Sequence, residues 1–261
     1  MILNNNVKGQ KYHHHKDFPH DHHSHTDHST PEISVKQSGT REIKVVRRVL
    51  DVNEKMADEN RKIFSQNGVF VLNVMSSPGS GKTKTLEKTL VKIMPEYKSA
   101  VIVGDICTTN DADRLAVSGA PVVQINTDEF GGDCHLAAHV IEKAAGGLDL
   151  ADIDLLIVEN VGNLVCPAEF DIGEDSRVVV LSVTEGEDKP AKYPLMFREC
   201  EVALLNKIDL LPYLDYDKDK AVDYIHQVHP DMPVFEISAS TEEGFEPWIE
   251  WLRGKIKAKI G

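Results

Sequence analysis

A strand-like run, VFVLNVM at 69–75, passes without a break into Ser76-Ser77-Pro78-Gly79-Ser80-Gly81-Lys82-Thr83, and a helical pattern follows at once. Nothing else in the chain limits its fold so sharply. A strand, a glycine-containing loop and a helix in this order present backbone N–H groups and a helix N-terminus to a phosphate. The loop matches G-x-x-x-x-G-K-[ST] except at Ser76, which stands where the first glycine mainly shapes the turn. Gly79 and Gly81 let the backbone curl around phosphates, Lys82 reaches the β- and γ-phosphates, and the Thr83 hydroxyl ligates Mg²⁺. Pro78, Ser80 and Lys84 complete the expected nucleotide-binding stretch.

The chain downstream supplies the sheet such a loop needs. Apolar, β-branched runs recur at 99–105, 121–126, 154–160, 177–183, 201–206 and 233–238, separated by helical stretches near 83–94, 109–118, 133–145, 217–229 and 244–258. Runs of this kind suit strands covered on both faces. The pattern predicts an α/β fold with a doubly wound, mostly parallel sheet, whose ligands sit at the carboxyl ends of the strands.

Two further strand ends select the nucleotide. Asn206-Lys207-Ile208-Asp209 closes the sixth run as the N-K-x-D pattern of GTPases, and Ser238-Ala239 closes the seventh as in their S-A-K element. The Asp209 carboxylate can accept from N1–H and N2–H₂ of guanine, whereas adenine would leave it facing a lone pair. GTP is therefore expected over ATP. Asp105 and Glu159 end two other strands on the γ-phosphate side, as catalytic or Mg²⁺-holding carboxylates. Glu159-Asn160-Val161-Gly162 occupies the place of a D-x-x-G switch, so the Gly162 N–H could sense the γ-phosphate. No Gln or Arg clearly positions the attacking water; Lys189 and Arg114 are candidates that more often serve as surface charges.

Upstream, three segments differ in character. Residues 1–40 hold eight of the twelve histidines (His13, His14, His15, His20, His22, His23, His25 and His28) and little to bury, so a disordered tail is expected. Aspartate, proline and serine interrupt the histidines, unlike a purification tag, and closely spaced imidazoles can hold transition metals without a fixed fold. Residues 41–67 repeat Ile43, Val46, Leu50, Asn53, Met56, Asn60, Ile63 and Phe64 at helical spacing and predict an amphipathic helix packed on the domain at 68–261.

Composition removes several classes. With 42 Asp plus Glu against 29 Lys plus Arg, the net charge of −13 argues against a nucleic-acid-gripping protein. No apolar run is long enough to cross a membrane. Four cysteines are too few for a disulfide scaffold and point to a reducing, cytoplasmic setting.

Those cysteines carry the last signal. Cys134-His135 follows a Gly-rich stretch at the expected start of the helix at 133–145, and Cys166-Pro167 follows the switch. Two thiolates and an imidazole form a partial soft set suited to Zn²⁺ or Ni²⁺, although each cysteine taken alone reads first as a small core residue. His139 would share a face with His135 on that helix, where packing explains it as well.

Together the phosphate loop, GDCHLAAH, ENVGNLVCPAEFDIGE, EGEDKPAKYP and NKIDLLPY make the chain resemble the HypB family of hydrogenase nickel-incorporation GTPases over about 41–258. The resemblance implies a P-loop GTPase of the SIMIBI class that dimerises with GTP and delivers Ni²⁺ to the hydrogenase large subunit with a HypA-type nickel chaperone. It places the G-domain metal ligands on Cys134, His135 and Cys166. It also matches the histidine-rich tail to the nickel-storing extension of some members. The C-x-x-C-G-C motif of other members is missing, because no cysteine precedes Cys107. Two alternatives stay open: a urease-type nickel GTPase, disfavoured by Cys-Pro-Ala in place of Cys-Pro-His, and a metal-storage protein with a regulatory GTPase domain. N-K-x-D argues against a P-loop kinase.

Overall fold

Strands whose residues are apolar on both faces must be covered on both, and the chain does this by returning every connection across a face of one parallel sheet. The computed structural model describes residues 39–105, 110–126 and 134–261, with side chains from Arg48 onward, that of Asp105 excepted. The strands are β1 (Phe70–Ser76), β2 (Ser99–Asp105), β3 (Val122–Asn126), β4 (Leu155–Gly162), β5 (Ser176–Ser182), β6 (Val202–Asn206) and β7 (Val234–Glu236). They pair in the order β3-β2-β4-β1-β5-β6-β7, every neighbour parallel. All seven runs expected as strands are strands.

The helices among the described residues are α1 (Gly39–Gln66), α2 (Lys82–Ile93), α3 (Asn110–Ala116), α4 (Ala138–Ala145), α5 (Cys166–Glu169), α6 (Lys189–Lys192), α7 (Pro194–Glu199), α8 (Lys218–Val228) and α9 (Phe245–Ile260). Alternate residues of β1 take opposite faces. Leu72 and Val74 pack under α2 and α9 with Leu86, Leu90, Trp248 and Leu252. Val71 joins Phe64 of α1 and Ile141 of α4, while Met75 joins Phe197 of α7 and Ile225 of α8. Asn73 lies between Val71 and Met75, so a polar seam divides the two apolar clusters of that face.

Three expectations about helices change. Helix α1 begins at Gly39, two residues before Arg41, and its buried line is Asn53, Ala57, Asn60 and Phe64. Ile63, expected in that line, is 38% exposed. Polar residues can occupy the stripe because their amides are paired: Asn60 Nδ2 donates to Ala138 O (2.8 Å) and Ile172 O (3.1 Å), and Asn53 Nδ2 donates to Asp171 O (2.6 Å). Gly173, at φ +90°, lies so close that a Cβ would stand 2.7 Å from Ala57 O.

The second change concerns Cys134-His135, which does not open a helix. Helix α4 starts at Ala138, so His135 and the exposed His139 do not share a helix face. The third is that α5, α6 and α7 are short helices with proline in their first turn, absent from the expected list. The eight tail histidines lie outside the described residues.

Phe64 is the apolar anchor of α1, 1% exposed. Phe64→Ala is expected to cost about 3–5 kcal/mol, read as a lower urea midpoint with an unchanged slope. A loss below about 1 kcal/mol would show that α1 does not depend on this packing.

Candidate functional site

The phosphate loop sits where the sheet order reverses, between β4 and β5 at the carboxyl end of β1, and this is where a doubly wound sheet opens a crevice. A cavity of about 580 Å³ opens there. Pro78, Gly79, Ser80, Gly81, Lys82, Thr83 and Lys84 line it together with Gly162 and Lys207, as the sequence led us to expect. Gly81 needs its glycine twice over: φ is +90°, and a Cβ would stand 2.6 Å from Asn206 Nδ2. Gly162 brings the end of β4 against the loop, and a Cβ there would meet Pro78 Cα at 3.3 Å.

The N-K-x-D residues buttress this loop from the other side. Asn206 Nδ2 donates to Ser80 O (2.9 Å), and Asn206 Oδ1 accepts from Ala239 N (3.1 Å), which ties the loop to the Ser238-Ala239 turn. Lys207 is held at φ +66°, and its Nζ donates to Gly79 O (2.6 Å), so its stem lies across the mouth of the loop. Asp209 Oδ1 accepts from Ser238 Oγ (2.6 Å), which orients its carboxylate. Asn206, Asp209, Ser238 and Ala239 thus form one hydrogen-bonded corner joined to the phosphate loop.

Glu159 lies on the phosphate side and is 1% exposed. Its Oε1 accepts from Thr83 Oγ1 (2.7 Å) and lies 3.4 Å from Lys82 Nζ, while its Oε2 is buried without a partner. Burial pushes this carboxyl above the usual range, with Lys82 and Thr83 pulling it back. A buried carboxylate oxygen with a spare acceptor site, beside a threonine hydroxyl, is a hard-oxygen set that fits Mg²⁺. Asp105 ends β2 two residues beyond Val103, the register partner of Glu159; its side chain lies outside the described residues.

Two candidates for handling the attacking water prove to be ion-paired. Arg114 lines the cavity but pairs with Glu87 (2.8 Å) and Asp111 (3.4 Å). Lys189 pairs with Glu185 (3.4 Å), which itself accepts from Ser77 Oγ in the phosphate loop. Sequence reasoning missed Glu185. It stands three residues past β5, and no spacing rule connects it to Ser77.

Cys134 and Cys166 also come together. Their sulfur atoms are joined as a disulfide, with Cα atoms 6.2 Å apart, and His135 Nδ1 lies 4.0 Å from the Cys134 sulfur. The His135 ring stacks on Phe170, centroids 3.7 Å apart. Proximity is therefore as expected, but a disulfide offers no thiolates. In this oxidised form the described residues contain no group of three or more His, Cys, Asp or Glu side chains placed to hold a metal. Reduced, two thiolates beside an imidazole are a donor set that fits Zn²⁺ or Ni²⁺. No helix among the described residues is long and apolar enough to cross a membrane.

Known proteins are similar to this chain in sequence and in fold. Residues 70–236 match the family described as CobW/HypB/UreG, nucleotide-binding domain. The hydrogenase maturation factor HypB of Escherichia coli K12 is 46% identical over 231 residues, covering 88% of this chain and 78% of that protein. The structure of Helicobacter pylori HypB in complex with nickel superposes with a TM-score of 0.74 at 37% identity, over 80% of this chain and 96% of that one. The Archaeoglobus fulgidus hydrogenase maturation factor HypB gives 0.73 at 37% identity, over 79% and 99%.

Proposed function

The chain belongs to the CobW/HypB/UreG family and, within it, to the HypB hydrogenase maturation factors, and from that premise we propose that it is a slow GTPase whose nucleotide state governs the handling of a nickel ion. The observation that carries this reading is the seating of Gly162 against Pro78: Cys166 follows only four residues later, so the segment bearing one sulfur continues directly from the strand end that touches the phosphate loop. A γ-phosphate that moves Gly162 would move the cysteine.

The chain's own residues divide the work. Backbone N–H groups of 79–83 and the N-terminus of α2 cradle the phosphates, and the Lys82 ammonium neutralises charge that builds up on them. Thr83, Glu159 and Asp105 are the residues that would hold Mg²⁺, which when bound would supply further charge neutralisation to the phosphates. Asp209 and Lys207 choose guanine. Nickel is cargo, held by Cys134, His135 and Cys166 once the disulfide takes up two electrons and two protons to become two thiols. The partners follow from the family: a second copy of the chain in the GTP state, a HypA-type nickel chaperone and the hydrogenase large subunit, in the cytoplasm.

The test is metal binding to the reduced chain, with GDP and with a non-hydrolysable GTP analogue, with and without residues 1–40. One tight Ni²⁺ or Zn²⁺ per chain should persist without the tail, disappear in Cys134→Ala and change affinity with the nucleotide. The second reading, a storage protein with a regulatory GTPase domain, is favoured by the eight tail histidines. It predicts that all metal leaves with residues 1–40 and that the nucleotide changes nothing.

A further inference from the structure

Between the phosphate loop and the cysteine loop stands one fully buried side chain, Asn160. Its backbone and its amide face different partners. The carbonyl accepts from Lys82 Nζ (2.7 Å), the lysine that serves the phosphates. The amide oxygen accepts from Val161 N (2.9 Å) and from Leu136 N (3.3 Å), two residues past Cys134 and one past His135. The amide nitrogen donates to Asn73 Oδ1 (3.2 Å) in the polar seam beneath the sheet. From Asn73 the seam continues through Glu174 (3.1 Å) to Arg177, which donates to Ala168 O (3.3 Å) in α5, the turn that begins with Cys166. Both cysteine-bearing segments are thus hydrogen-bonded to a network that begins at the phosphate-loop lysine.

We propose that Asn160 is a positioning residue that transmits the nucleotide state to the Cys134-His135 loop; the inference rests on the nickel-GTPase reading above. The physical basis is competition for one ammonium. When Lys82 turns toward a β- or γ-phosphate it gives up the Asn160 carbonyl, and that peptide loses its charged donor. The Asn160 amide oxygen is shared between its own neighbour Val161 and Leu136, so a reoriented peptide weakens or strengthens the bond that fixes the cysteine loop. A buried amide with every polar atom paired has discrete arrangements rather than a continuum, which suits a relay. The neighbouring strand positions on this face, Leu156 and Val158, are apolar and offer no such choice.

The experiment compares the full reduced chain with Asn160→Ala, and with Asn160→Ser as a second variant whose hydroxyl keeps the pocket polar but is too short to reach Leu136. Binding of GDP serves as the check that each variant is folded. Two readouts are taken with GDP and with a non-hydrolysable GTP analogue: Ni²⁺ affinity, and, without metal, the rate at which iodoacetamide alkylates Cys134 and Cys166. The parent is expected to show a ratio between the two nucleotide states of about fivefold or more. In either GDP-binding variant both ratios should fall to near one, while Ni²⁺ still binds. A merely structural asparagine would change affinities in both states alike and leave the ratios in place, and that result overturns the proposal. A parent chain with no nucleotide dependence at all removes the nickel-switch reading itself, and the relay with it.

Discussion

Lys82→Ala is expected to lower single-turnover GTP hydrolysis by about 10²–10³-fold at saturating nucleotide. Phosphoryl transfer asks little covalent chemistry of the protein, so positioning and charge neutralisation supply most of the catalysis. Lys82 is 11% exposed at its side chain and is the cation beside Glu159 in the site. Its removal also takes away the charge that pulls the buried Glu159 carboxyl down, so that carboxyl rises further and becomes a poorer anionic ligand for Mg²⁺. The measurement is the burst of inorganic phosphate with enzyme in excess. Hydrolysis at the parent's rate would mean that the phosphate site has been placed on the wrong residues.

Asp209→Ala should remove the preference for guanine. The carboxylate is oriented by Ser238, whose hydroxyl is itself fixed by accepting from Ser240 N (3.2 Å) and Thr241 N (3.1 Å) in the following turn. Two charge-assisted hydrogen bonds to the base, at about 1.5–3 kcal/mol each, predict a fall in GTP affinity of roughly 10²-fold or more. ATP has no matching donors and should be affected far less, so the two affinities converge. Competition of fluorescent GDP by GTP and by ATP reads both. An unchanged GTP-to-ATP ratio would place base recognition elsewhere, leaving Asn206 and Lys207 as buttresses of the loop alone.

What could be read from the sequence was whatever the chain states locally. Strand, loop and helix around Lys82 are contiguous, and the β-branched runs carry their own burial, so the parallel sheet and the phosphate site follow from residues a few positions apart. Asn206 to Asp209 is similarly contiguous. The cysteine loop was legible in membership but not in form. Cys134-His135 looked like a helix start because a helical pattern follows. The true first residue is Ala138, and Ala137 before it has no side chain able to cap. The missing acceptor comes from Asn53, whose Oδ1 takes the Ala138 N–H at 2.9 Å. A cap 85 residues away leaves no trace in a local pattern. Glu185 escaped for the same reason, since its link to Ser77 spans 108 positions. In α1 the expected stripe already held Asn53, Asn60 and Phe64; what escaped it was the buried Ala57, which hydropathy ranks below the exposed Ile63.

Those asparagines have a consequence for how the chain is made. Helix α1 leaves the ribosome before every partner of its buried amides. Ala138, Asp171 and Ile172 lie 78 to 118 residues downstream of the side chains that bind them. At about 5–20 residues per second, α1 waits for several seconds or more with Asn53 and Asn60 satisfied only by water. Neither amide obstructs this waiting stage, since water serves it as well as a carbonyl does, whereas an aliphatic stripe would be an invitation to neighbouring chains. Helix α1 is thus the earliest made of the described elements, its buried amides are not fully paired until Ile172 has been made, and the Ala138 N–H at the start of α4 finds its acceptor only when α1 docks.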